Sequence, residues 1–271
     1  MSNESQPREL GLFSATAAVI ATMIGAGIWG TTGGFAYKLG SDFAVLLVWL
    51  CCGLLALTGA LSLGELGGMM PRAGGCYTFI RKIYGPTAGY LTGVLSSLLA
   101  FVGAMAFIAM LLGIYVHNFL PGIPPTLIAC GAVVGFSAIH CAGLREGTRI
   151  NNVFTVFKVL VIIAFIVAGL SADGREVQIQ IEGSPVFTTV FAAAMVSASF
   201  AYLGWETTTF IGGEVKNPGR VLPRSLVIGT TIVIILYLLI NVVYLHAQPP
   251  AEMFELGKDG GKKGIDVIGP Y

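Results

Sequence analysis

The 271-residue sequence predicts an all-α protein that crosses a membrane several times. Hydrophobic residues make up 55% of the chain, charged residues make up only 11%, and the mean hydropathy is +0.82. Soluble domains carry roughly 25% charged residues, so this composition is typical of an integral membrane protein. The net charge of +1 leaves no strong electrostatic footprint for binding nucleic acid.

Seven apolar segments divide the chain, and each is a candidate membrane span. They cover roughly 12–37, 43–70, 86–119, 126–142, 151–170, 187–213 and 226–245. A span needs about 20 apolar residues, so the fourth segment requires help from its flanks. We therefore predict a transmembrane domain over 12–245, a cytoplasmic tail over 1–11 and a polar, glycine-rich tail over 246–271.

The first segment carries a glycine-rich interruption, Ile24-Gly25-Ala26-Gly27-Ile28. A helix that rises roughly 1.5 Å per residue from Leu12 brings Gly25 about 20 Å into the bilayer. Broken backbone at that depth must face protein or a water-filled cavity. Alone, the glycines fit close helix packing equally well. A second interruption, at Leu203-Gly204 in the sixth segment, favours a transporter site, because paired breaks in two halves point to one.

Small residues recur every four positions in the second segment, at Ala56, Ala60, Gly64 and Gly68. The third segment opens with Gly89, Gly93 and Ser97 in the same arrangement. Such stripes let a neighbouring helix approach closely, so we interpret both as packing surfaces.

The basic residues predict the orientation of the chain. With the N-terminus inside, the nine on the inner side are Arg8, Arg72, Arg81, Lys82, Arg145, Arg149, Lys216, Arg220 and Arg224. The five on the outer side are Lys38, Arg175, Lys258, Lys262 and Lys263. The positive-inside rule then predicts a multi-pass protein of the plasma (inner) membrane with a cytoplasmic N-terminus.

The loop after the second segment reads Gly64-Glu65-Leu66-Gly67-Gly68-Met69-Met70-Pro71-Arg72-Ala73-Gly74-Gly75. It resembles the signature of the amino acid–polyamine–organocation (APC) transporters, and the resemblance extends to about Leu245. The first interruption, the Lys158 region, Phe200–Glu206 and Glu214–Pro218 agree with it. The resemblance implies a LeuT-type bundle with inverted repeats and discontinuous first and sixth helices. It also implies a secondary active transporter of amino acids.

The resemblance further implies which backbone groups bind the substrate at the two unwound helices. Backbone amides near Gly25, Ala26 and Gly27 would hold the amino acid carboxylate. The carbonyls that would hold its ammonium are those of Phe200, Ala201 and Leu203, with Met23 and Ile24. Helix N-termini suit an anion, and unwound carbonyls suit a cation.

Three side chains near these positions carry competing interpretations. Trp205 is a gate or pocket wall, or else an ordinary packing aromatic. Glu206 is an acid that lines the substrate path or gate, or else a residue of the inner half that faces water. Lys158 either snorkels to the cytoplasmic surface or, as the resemblance implies, takes the place that sodium fills in sodium-coupled relatives. In that place it would be a structural cation or a proton carrier, and transport would be sodium-independent.

The predicted partners are an amino acid, the lipid bilayer and protons, with no metal or other cofactor. We find no catalytic triad, P-loop or metal-ligand spacing, so we do not expect an enzyme. The polar sequence after Pro249-Pro250 leaves the second repeat with only two of its five helices, as in a fragment or a truncated paralogue. The alternative is a seven-helix receptor or sensor, which predicts an outside N-terminus and does not explain the paired breaks.

Overall fold

The computed structural model describes residues 8–141 and 144–253, so most of both predicted tails lies outside the described residues. The described chain is helical, as predicted, and its ten α-helices are α1 (Leu12–Met23), α2 (Gly27–Leu39), α3 (Asp42–Met69), α4 (Gly75–Tyr84), α5 (Pro86–Leu95), α6 (Ala104–Phe119), α7 (Pro125–Cys141), α8 (Leu144–Ser171), α9 (Thr189–Ala201) and α10 (Pro218–Ala247). A π-helical segment, Ser96–Gly103, joins α5 to α6, and 3-10 helices cover Trp205–Ile211 and Pro250–Glu252.

Several of the described helices can cross a membrane, which agrees with the predicted multi-pass class. Four stretches are long and apolar enough, Asp42–Met69, Pro86–Phe119, Gly147–Ser171 and Pro218–Ala247. The α1–α2 pair forms a fifth candidate span, bent by 44° at the first interruption. The fourth and sixth predicted segments contain shorter helices, α7 and α9, and α9 ends where the second interruption begins.

Two predicted boundaries differ from the structure because helices continue past the apolar segment. The fifth segment was expected over 151–170, whereas α8 covers 144–171. The seventh was expected over 226–245, whereas α10 begins at Pro218, the first helical position, where proline is well tolerated. Hydropathy marks the part of a helix that faces lipid and does not register its polar ends.

Helix α10 lies between α3 and α1 at the centre of the bundle. A Cβ atom built on Gly64 would lie 3.1 Å from the Pro223 Cα, and one on Gly68 would lie 3.5 Å from the Gly219 Cα. The small-residue stripe of α3 is therefore a helix-packing surface, as predicted. On the opposite side, a Cβ on Gly229 would lie 2.7 Å from the Val19 Cβ of α1.

A partly buried ion pair joins three elements at the N-terminal end of α3. Asp42 Oδ2 accepts a hydrogen bond from Arg175 Nη2 at 2.6 Å, and Oδ1 accepts one from Nη1 at 3.2 Å. Arg175 also donates to the carbonyl of Leu245 at 2.6 Å, and the Gln178 amide donates to Asp42 Oδ2. The pair thus joins α3, the loop after α8 and the end of α10.

We expect Asp42→Asn to destabilise the protein by about 3 kcal/mol, because it leaves the Arg175 guanidinium unpaired. This is the lower end of the usual range, since the Arg175 side chain is 26% exposed and the Asp42 side chain only 2%. Thermal unfolding in detergent should show a midpoint about 6–12 °C lower. The control is Glu182→Gln, which removes an exposed carboxylate near the same loop. Equal midpoints for the two variants would contradict the prediction.

Candidate functional site

The two interruptions lie against each other in the interior of the bundle. A Cβ atom built on Gly27 would lie 3.1 Å from the Ala201 Cα. One built on Gly204 would lie 2.5 Å from the Thr22 carbonyl oxygen and 3.2 Å from the Met23 nitrogen. Gly204 also has a φ angle of +115°, which side chains rarely adopt. Glycine is therefore required at Gly204 both for conformation and for contact with α1.

Tyr237 of α10 joins the two interruptions through its hydroxyl group. The Oη atom lies 2.9 Å from the Met23 carbonyl oxygen and 3.0 Å from the Ala201 carbonyl oxygen. One hydroxyl hydrogen can serve only one of these carbonyls at a time. Asn241 donates to the Tyr237 carbonyl at 2.8 Å and accepts from Thr32 at 2.6 Å. A buried polar chain therefore connects α2, α10 and both breaks.

The Lys158 ammonium lies at the first interruption. Its Nζ atom donates to the Ile24 carbonyl at 2.8 Å and to the Ala21 carbonyl at 3.1 Å. The half-buried side chain therefore reaches from α8 to the C-terminal end of α1. Six residues earlier on α8, the Asn152 amide donates to the Ser14 hydroxyl at 3.0 Å. The role of Lys158 in transport stays a prediction.

The predicted amide positions differ from one another in their surroundings. Gly25 and Ala26 are exposed, and a Cβ on Gly25 would meet no atom within 4 Å. Ala26 caps α2 without a side-chain acceptor, so the first amides of α2 have no side-chain cap. Gly27, in contrast, is half-buried against Ala201. Open space therefore borders Gly25, whereas Gly27 is a packing position.

Four of the five predicted carbonyls, those of Met23, Ile24, Phe200 and Ala201, already have donors within the protein. The Met23 and Ala201 carbonyls face Tyr237, and the Phe200 carbonyl accepts from the Leu203 amide at 3.3 Å. Each carbonyl oxygen keeps a second lone pair for another donor. The side chains of Phe200 and Leu203 are exposed, whereas Ala201 is buried.

Trp205 and Glu206 directly follow the second interruption. Glu206 Oε2 accepts a hydrogen bond from the Gly204 amide at 3.0 Å, so its carboxylate turns back on the break. The Thr207 hydroxyl donates to the Gly204 carbonyl, and the Thr209 hydroxyl donates to the Glu206 carbonyl at 2.6 Å. The Trp205 indole is half-buried and rests on Gly59 of α3.

A short backbone pairing joins the residues before α1 to those before α10. Leu10 forms a parallel bridge with Val215, and both side chains are buried. The Leu10 amide donates to the Glu214 carbonyl at 3.0 Å, and the Lys216 amide donates to the Leu10 carbonyl at 2.8 Å. Burial raises the pKa of the Glu214 carboxyl group, and among the residues that the structure describes its Oε2 atom has no hydrogen-bond partner.

The sequence reasoning did not identify Tyr237, its polar neighbours Asn241 and Thr32, or Gly59. A tyrosine in the middle of an apolar segment was an available signal, since polar groups inside a membrane mark functional positions. No sequence pattern distinguishes Gly59, because it lies outside the four-residue stripe of small residues on α3. Within the described residues, no group of three or more His, Cys, Asp or Glu side chains could hold a metal ion.

Comparison with known proteins shows which family this chain resembles over most of its length. The amino acid permease family model matches residues 10–263. The serine/threonine exchanger SteT of Bacillus subtilis is 31% identical over 96% of this chain and 60% of its own length. The mouse b(0,+)-type amino acid transporter 1 is 30% identical over 93% of this chain and 54% of its own. The human large neutral amino acids transporter small subunit 2 is 29% identical over 91% and 48%.

The chain spans about half the length of the curated relatives that it matches. The family match covers nearly all of it, from the tail that pairs with Val215 to beyond α10. This family consists of transporters and not of enzymes. The chain therefore belongs to the amino acid permease family of the APC superfamily.

Proposed function

We propose that the chain takes part in secondary transport of amino acids, which bind between the two interruptions. The observation that carries this proposal is the Tyr237 hydroxyl, which lies within hydrogen-bond distance of a carbonyl at each break. Two broken helices in mutual contact place helix-end backbone groups in the interior, the arrangement typical of transporter sites. The names of the relatives as amino acid transporters support the same substrate class.

The chemistry of the breaks is complementary to a zwitterion. The uncapped amides that follow Gly25 and Ala26, at the positive end of α2, would bind the carboxylate. Carbonyl oxygens at the end of α9 and α1 would accept from the ammonium through their free lone pairs. The open space beside Gly25 provides room for the carboxylate.

The proposed architecture is the LeuT-type bundle, with the α1–α2 pair as its first helix and α9 with Trp205–Ile211 as its sixth. Breaks in these two helices are what an inverted repeat places at one site. The family match favours transport over the alternative of a seven-helix receptor or sensor.

Sodium independence forms part of the proposal. The Lys158 ammonium donates to the Ala21 and Ile24 carbonyls, where a sodium ion would otherwise bind unwound backbone. An ammonium and a sodium ion compete for the same oxygen ligands. Lys158 would then act as a fixed structural cation or as the carrier of a coupled proton.

Amino acid binding to the purified chain tests the proposal. Gly25→Leu should lower the affinity at least about 100-fold, because its side chain would fill the space beside the α2 amides. The matched control is Gly34→Leu in α2, where a Cβ also meets no atom within 4 Å. Replacing sodium by choline should leave binding unchanged. Strict sodium dependence, or equal affinity for the two variants, would contradict the proposal.

Cysteine labelling in intact cells tests the proposed orientation. Glu182→Cys, in the loop after α8, should react with an impermeant maleimide. Lys216→Cys, beside the N-terminal bridge, should react only after permeabilisation. Both positions are exposed, and the background lacks Cys51, Cys52, Cys76, Cys130 and Cys141. Labelling of Lys216→Cys alone from outside would place the N-terminus outside and contradict the proposal.

A further inference from the structure

We propose that Gly59 of α3 is a positioning residue, which holds the Trp205 indole at the second break and thereby sets the size of the amino acid side chain that fits. This inference rests on the proposed function. It concerns a residue that touches no substrate and acts only through Trp205.

The contact between the two residues is unusually close. A Cβ atom built on Gly59 would lie 2.7 Å from both Cη2 and Cζ2 of Trp205. These atoms form the outer edge of the indole, at the far end of the side chain. The ring therefore occupies a notch in α3 that exists only because residue 59 has no side chain.

The other end of Trp205 is fixed by the second break. Trp205 directly follows Gly204, whose backbone packs closely against the Thr22 carbonyl and the Met23 nitrogen of α1. The Gly204 amide donates to Glu206 at 3.0 Å, and the Thr207 amide donates to the Gly204 carbonyl at 3.1 Å. With the backbone held on both sides, the ring can respond to a change in α3 only by rotating.

A second aromatic residue of the break rests on α3 in a similar way. A Cβ on Gly53 would lie 3.0 Å from the Tyr202 hydroxyl oxygen, and that hydroxyl donates to the Trp49 carbonyl at 3.0 Å. Tyr202 is therefore held by a hydrogen bond in the buried core. The Trp205 ring packs against the core and against Gly59, where any added atom meets the ring edge, so the position of the ring depends on the size of residue 59.

A methyl group at residue 59 must displace the ring. The ring edge would have to move from 2.7 Å to an ordinary contact distance of about 3.4 Å or more. Since α3 blocks one side, the indole turns away from α3 and towards its own backbone at the break. The space beside the break becomes smaller, which favours amino acids with short side chains.

Binding of alanine and of leucine to the purified full chain tests this inference. Gly59→Ala should raise the ratio of alanine affinity to leucine affinity about tenfold, the scale of one or two methylene groups in an apolar pocket. Adding Trp205→Phe should return the ratio towards its original value, because the smaller ring clears the new methyl group. The control is Gly67→Ala on the same helix, where a Cβ would make only an ordinary 3.5 Å contact with Leu222.

Thermal unfolding of the same four proteins and of Trp205→Phe reports the contact without any substrate. The inference is supported if the ratio changes and if the shifts in unfolding midpoint caused by Gly59→Ala and Trp205→Phe do not add in the double variant. An unchanged ratio in Gly59→Ala overturns it, as does a change that Trp205→Phe does not reverse. If the unmodified chain binds neither amino acid, the proposed function fails and this inference fails with it. That result differs from binding with unchanged selectivity, which refutes the inference alone.

Discussion

Lys158→Met is expected to lower the amino acid affinity of the chain about 100-fold. The substitution removes two charge-assisted hydrogen bonds, to Ile24 and Ala21, and such bonds contribute about 1.5–3 kcal/mol each. If the broken conformation that binds substrate loses about 3 kcal/mol of stability relative to other backbone conformations, its population falls about 100-fold. The apparent dissociation constant rises by the same factor. Equilibrium binding of a labelled amino acid measures it.

Thr155→Val is the control for Lys158→Met. Thr155 lies one turn earlier on α8, and its hydroxyl donates to the Asn151 carbonyl of its own helix at 2.7 Å. Its contact with the Ala17 carbonyl of α1 is long, at 3.5 Å. This variant should bind within about twofold of the unmodified protein. Wild-type affinity in Lys158→Met would show that the ammonium does not hold the break.

Gly204→Ala is expected to abolish amino acid binding and to lower the unfolding midpoint. A φ angle of +115° costs about 1–3 kcal/mol for a residue with a side chain. The new Cβ would also lie 2.5 Å from the Thr22 carbonyl oxygen, a backbone atom that cannot rotate away. The two breaks would have to separate, and Tyr237 could no longer reach a carbonyl on each.

The control for Gly204→Ala is Gly183→Ala, which separates strain from contact. Gly183 also has a positive φ angle, +77°, but a Cβ there would meet no atom within 4 Å. It should show only the conformational penalty and should keep amino acid binding. If both variants lose the same stability and bind equally well, the contact between Gly204 and α1 is not needed for the site.

Much of the fold could be predicted because lipid imposes a simple pattern on the sequence. The glycines at residues 25 and 27 predicted the first break, and Gly204 lies at the second. Both breaks could be predicted because glycine within an apolar segment weakens the helix at its own position. The same is true of the α3 stripe, whose small residues meet α10.

Contacts between distant elements could not be predicted in this way. Tyr237 reads as one polar residue in an apolar helix until α10 is placed between α1 and α9. Asp42 and Arg175 are unremarkable charges at segment ends, and only the fold brings them to 2.6 Å. Gly59 looks like one more small residue until the Trp205 ring is seen against it. Each of these contacts joins residues that are distant in the sequence, so local hydropathy and glycine patterns do not predict it.

The Tyr237 bridge has a consequence for biosynthesis. Its hydroxyl reaches the Met23 carbonyl, 214 residues earlier in the chain. At about 5–20 residues per second, a ribosome needs about 10–40 s to travel that distance. Throughout this interval an unwound first span would present unpaired backbone to lipid, at several kcal/mol per group. We therefore expect the first span to enter the bilayer as a continuous helix, which unwinds at Gly25 only when α10 arrives.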